Sequence, residues 1–102
     1  MYIFMTSTYP NDTAKQAAET YLKAMTKYPE NNSLATPLVQ VAVKATLEGI
    51  NAISVYEAKK GKFEEAEALI VNRMAMFNDI PGYRWLITPY WKLEDALKLI
   101  GM

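Results

Sequence analysis

Cysteine and histidine are both missing from this chain of 102 residues. Without cysteine there is no disulfide framework, thiolate metal site or cysteine nucleophile. Without histidine the commonest metal ligand and the commonest general base are gone. Neither a tightly bound transition metal nor an axially ligated haem is expected, and the residues ask for no cofactor. Net charge is lacking as well, since 11 Lys and Arg balance 11 Asp and Glu. A nucleic-acid partner would call for a basic chain with clustered charge, so none is expected. No apolar run approaches the roughly 18 residues that cross a bilayer. The opening MYIFMTSTYP has no basic stretch ahead of its apolar residues. The expectation is a cytoplasmic protein without a membrane partner. Glycine is scarce: Gly49, Gly61, Gly82 and Gly101 are all there are. Each falls at a turn or a helix end, which leaves none for a phosphate-cradling loop.

What is present is apolar substance, 51% of the residues, enough for one domain over residues 1–102. Tyr2 to Thr8 is aromatic and β-branched and reads as a strand closed by Pro10. Asn11 or Asp12 is placed to cap a helix. Ala14, Ala17, Ala18, Tyr21, Leu22, Met25 and Tyr28 then follow at helical spacing. Pro37 to Leu47 alternates, with Val39, Val41, Val43 and Ala45 on one face. Glu48-Gly49 turns the chain into a returning strand, Ile50 to Lys59. A second helix spans about Phe63 to Phe77, its early Glu64, Glu65 and Glu67 suited to the positive end of the helix dipole. A fourth strand, Tyr83 to Trp91, precedes a short C-terminal helix that carries Glu94 and Asp95 in its first turn.

The order β-α-β-β-α-β plus a terminal helix predicts an α+β fold, a ferredoxin-like βαββαβ sandwich on a four-stranded antiparallel sheet. Its sheet order would be 4-1-3-2, with strands two and four at the edges. Pro37 opens strand two and Pro89 lies in strand four, and sheets tolerate proline at edges and strand starts. The element order, MYIFMTSTYP, VAVKATLEGINAISVYE and RMAMFNDIPGY together resemble the dimeric α+β barrel group of that fold. The resemblance implies a homodimer whose two sheets pack face to face. That group includes cofactor-independent monooxygenases, small-molecule isomerases and haem-binding members; those that use a histidine match this chain poorly.

The sheet should present two unlike faces. Val39, Val41, Val43, Ile53, Val55, Trp85 and Ile87 form an apolar set for the helices to cover. Gln40, Lys44, Ser54, Tyr56, Arg84, Leu86, Thr88 and Tyr90 form a mixed set on the open side. Strand one is apolar on both sides, through Ile3 and Met5 or Tyr2 and Phe4. A face of rings beside polar groups suits a wet interface or a pocket, so partnership with a second copy through the open face is expected. Arg73 is the odd residue, set among Ala66, Ile70 and Phe77 on the apolar side of the second helix. Either its head snorkels or meets a carboxylate such as Glu57, or it holds an anion at a cavity between helix and sheet. Arg73, Tyr56, Arg84, Gln40 and Ser54 are the candidate ligand-binding residues, with a small anion as the candidate ligand. The favoured function is non-catalytic small-molecule binding or assembly. The rival is a cofactor-independent isomerase or monooxygenase-like enzyme acting on a small organic acid, with Tyr56 as acid/base and Arg84 or Arg73 holding the anion.

Overall fold

β1 (Tyr2–Tyr9) lies inside the sheet, paired antiparallel with β3 (Ile50–Ala58) on one side and β4 (Arg84–Tyr90) on the other. β2 (Ala35–Ala45) pairs antiparallel with β3, which gives the order β2-β3-β1-β4. β2 and β4 are therefore the edges, and Pro37 and Pro89 both sit on them, where no ladder partner is lost. Three helices complete an α+β architecture: α1 (Ala14–Lys27), α2 (Phe63–Ala75) and α3 (Leu93–Leu99). This is a computed structural model, and it describes residues 1–102. No helix is long and apolar enough to cross a membrane.

Asn11 and Asp12 do not cap α1 with their side chains; they belong to a 3-10 turn, Asn11–Thr13, that leads into it. The turn is tied down instead by the Thr13 hydroxyl, which donates to the Pro10 carbonyl at 2.8 Å. Acidic residues do occupy the first turns of α2 and α3, where the dipole favours them.

The pairing fixes which side chains the helices cover. Ile3, Met5 and Ser7 of β1 are buried, and opposite them stand Tyr56, Ser54 and Ala52 of β3. Ile53 and Val55 therefore face the open side, the reverse of the expected assignment for this strand. The sequence pattern misleads because both phases of β3 are mixed, and its β-branched residues lie on the side without helices. Ser54 and Tyr56 are tolerable inside because each has a hydrogen-bond partner there. On β4 the expectation holds, with Trp85 and Ile87 packed against the core.

β2 departs from simple alternation through two register shifts, between Pro37 and Val39 and between Val39 and Ala42. In the second, Gln40 and Val41 together stand opposite Ser54, the two-against-one count of a β-bulge. The bulge sends Val39 to the open side and leaves Val41 and Val43 on the helix side. The Ser54 hydroxyl ties it down by donating to the Gln40 carbonyl at 2.6 Å.

Only 16 of 102 residues are buried, fewer than the apolar content allows for. The principal extents are 49 × 30 × 18 Å and the radius of gyration is 14.9 Å, against about 13 Å for a compact chain of this length. The distal part of the β2–β3 hairpin, with its exposed valines, accounts for apolar surface left without cover.

At the hairpin turn, Thr46 bonds through both backbone and hydroxyl to Gly49. Gly49 has φ +153°, and a Cβ there would lie 2.6 Å from the Tyr9 carbonyl oxygen. Gly61 has φ +76° and open space around the same position. Gly49→Ala is expected to cost about 2–3 kcal/mol and Gly61→Ala about 1 kcal/mol. Urea denaturation of the two variants checks this; equal losses would rule out the close approach at Tyr9 as the cause.

Candidate functional site

α1 turns a stripe of small side chains toward the sheet. Ala14, Ala17, Ala18 and Ala24 replace the bulky residues that would fill the space above Ala52 and Ser54. Interiors rarely leave voids much larger than a water molecule, yet here a cavity of about 380 Å³ remains between α1, α2 and the sheet. It is lined by 21 residues, 17 of them hydrophobic, so its wall is mostly apolar. Leu22 (66% exposed), Val41 and Val43 (58% exposed) stand where the lining meets solvent.

One end of the cavity is aromatic. Tyr83 stacks between Tyr9 (5.1 Å) and Phe77 (4.7 Å), and its hydroxyl donates to Ser7 Oγ at 3.1 Å. Burial pushes the hydroxyls of Tyr9 and Tyr83 upward, so both stay protonated as hydrogen-bond donors.

The polar end is built around Arg73, which is 5% exposed. Its Nε donates to the Tyr28 carbonyl at 2.7 Å, just past the end of α1. Its Nη1 donates to the Tyr56 hydroxyl oxygen at 3.1 Å and to Glu30 Oε1 at 3.3 Å. The Tyr56 hydroxyl in turn donates to Glu30 Oε1 at 3.0 Å. Three side chains from a loop, β3 and α2 thus close a triangle. Burial first, then the Glu30 charge, pushes the Tyr56 hydroxyl up to about 12 against the pull of Arg73. It is a donor at neutral pH and holds its proton too tightly to act as a base. Arg73 Nη2 has no partner, the single buried side-chain nitrogen or oxygen in the protein of which that is true.

Of the five candidate residues, Arg73, Tyr56, Ser54 and Gln40 all line this cavity. Arg84 does not. It is exposed beside Thr8 on the open face of β4, with the sheet between it and Arg73. A shared site for Tyr56 and Arg84 on the open face is therefore corrected, since β3 turns Tyr56 toward the helices. The partner of Arg73 is also corrected, from Glu57 to Glu30. Glu57 faces the open side and pairs with Lys92, which draws its carboxyl below the ordinary range. Sequence reasoning missed Glu30 because it sits in a loop after Pro29, where periodicity carries no information. It missed the alanine stripe as a cavity wall because alanine on an apolar helix face ordinarily signals close packing. Among Asp and Glu side chains, no group of three is placed to hold a metal ion.

No family model matches the chain, and no curated protein matches it. A crystal structure of a DUF3240 family protein from Shewanella baltica OS155 is similar over 89% of this chain and 91% of that one. The identity is 13% and the TM-score 0.38, a likeness too slight to carry an argument about function.

The triangle makes its two charges unequal. Glu30 keeps 24% of its side chain exposed and can turn to water when its partner is removed, whereas Arg73 cannot. Arg73→Met should therefore cost less than about 1.5 kcal/mol, because the stem is kept and no charge is stranded. Glu30→Ala strands the guanidinium and should cost about 3–5 kcal/mol. Chemical denaturation of both variants checks the order; a larger loss for Arg73→Met would contradict it.

Proposed function

We propose that this is a small-molecule-binding protein of ferredoxin-like topology, akin to the dimeric α+β barrel group, that acts without catalysis and assembles as a homodimer through its open sheet face. The cavity of about 380 Å³ carries the binding half of this reading. It falls within the size range of small-molecule sites and joins apolar walls to a few converging polar groups, as such sites do. Its alanine wall supports a role for the empty space, since larger side chains at the same positions would fill it. Tyr56, with its proton held tightly, supports binding over acid–base turnover.

The assembly half is supported by the open face. Phe4, Ile53, Val55, Leu86 and Tyr90 project there from three neighbouring strands, and Leu86 is 62% exposed. Leu93, Leu99 and Ile100, in and just after α3, add further uncovered apolar surface. A second copy is the occupant best matched to this face, because two sheets stack about 10 Å apart with aligned strands and a two-fold interface needs only one self-complementary patch.

Two experiments test the halves separately. Titration with the neutral dye Nile red should give saturable fluorescence, and Ala52→Leu, which builds into the cavity floor, should weaken it at least about tenfold while leaving or raising the melting temperature. Unchanged dye binding in that variant would sink the cavity reading. Light scattering at tens of micromolar should give twice the 11.6 kDa chain mass. Leu86→Glu combined with Tyr90→Glu should return it to one chain with dye binding intact. A monomer mass for the parent would end the dimer reading.

A further inference from the structure

We infer that the cavity selects uncharged molecules, with an apolar body and one hydrogen-bond acceptor seated at its Arg73 end. The inference rests on the cavity reading and narrows it to a ligand class. Arg73 is the only charged residue among the 21 that line the cavity, and taken alone it would recruit a carboxylate. Glu30 already holds the position that carboxylate would take, 3.3 Å from Nη1, and Tyr56 hydrogen-bonds the same oxygen. The pair leaves the polar end with no net charge.

A second carboxylate would have to share one guanidinium with Glu30 beneath a mostly apolar wall, where repulsion between like charges is poorly screened. A cationic head would meet Arg73 itself. An ester, ketone or amide oxygen meets neither penalty. It could take the hydrogen bond that Nη2, buried and without a partner, still lacks, once the Arg73 side chain turns that nitrogen to the cavity it lines. Glu30 thus acts as a built-in counterion that sets the charge of the ligand, at the end of the cavity opposite the Tyr9–Tyr83–Phe77 stack.

The test is competition against bound Nile red by methyl octanoate, octanoate and octylamine, which share one alkyl chain and differ in the head. Methyl octanoate should displace the dye at concentrations at least about tenfold lower than either charged analogue, the scale of one well-made hydrogen bond together with an avoided charge. Glu30→Gln keeps acceptor and shape but releases the Arg73 charge, and it should reverse the order so that octanoate binds best. Should that variant fail to fold, the ranking in the parent protein decides alone. Octanoate equal to or better than the ester in the parent would overturn the inference and leave the cavity reading standing. So would a ranking that a folded Glu30→Gln variant does not alter. Failure of Nile red to bind the parent at all would remove the cavity reading, and this inference with it.

Discussion

One buried charge organises the helix-covered side of this protein. Arg73 projects from the core-facing side of α2, where an isolated guanidinium would be prohibitively costly. Its acceptance there depends on three acceptors from two parts of the chain: the Tyr28 carbonyl and Glu30 carboxylate just after α1, and the Tyr56 hydroxyl on β3. These contacts join the end of α1 and its following loop to β3 and α2. They also bear on the phase of β3. Sliding that strand by one residue would swing Tyr56 to the open face, bring Val55 inward and leave Arg73 with one partner fewer. The polar triangle thus specifies a register that hydrophobic pattern alone left open.

That dependence explains where the sequence could be read and where it could not. The elements were legible because each has a local cause: β-branched and aromatic runs, a proline or glycine at most of the breaks between them, helical spacing of small apolar residues. The edge positions of β2 and β4 were legible from Pro37 and Pro89. The phase of β3 was not, because Asn51, Ile53, Val55 and Glu57 balance Ala52, Ser54 and Tyr56 in polarity, and the decision comes from Arg73 and Glu30, far away in sequence. The face of Val39 was hidden for a different reason. A bulge at Gln40 and Val41 changes the parity of everything beyond it, and its signal is a hydrogen bond from Ser54 on the neighbouring strand.

The candidate site shows the same division. Arg73 could be singled out from its position alone, since a charged residue in the centre of an apolar helix face demands an account. Tyr56, Ser54 and Gln40 lie beside it at the cavity, although the reasoning that grouped them placed them on the other face of the sheet. Arg84 fell away with that error. Glu30 could be found only in three dimensions, and it alters the chemistry most, because it turns a lone cation into a neutral pair.

The sheet itself joins the two surfaces that lack cover. Along β3, Ala52, Ser54 and Tyr56 form part of the cavity floor, and Ile53 and Val55 between them project to the open side. A strand shared in this way cannot change its twist on one side without moving side chains on the other. Packing against the open face would restrain Ile53 and Val55, and through the backbone the spacing of Ser54 and Tyr56. The bulge on β2 strengthens this link, because Ser54 holds Gln40 and so positions Val41 at the cavity edge. A second copy packed on the back of the sheet, as proposed above, would therefore bear on the shape of the space beneath the helices.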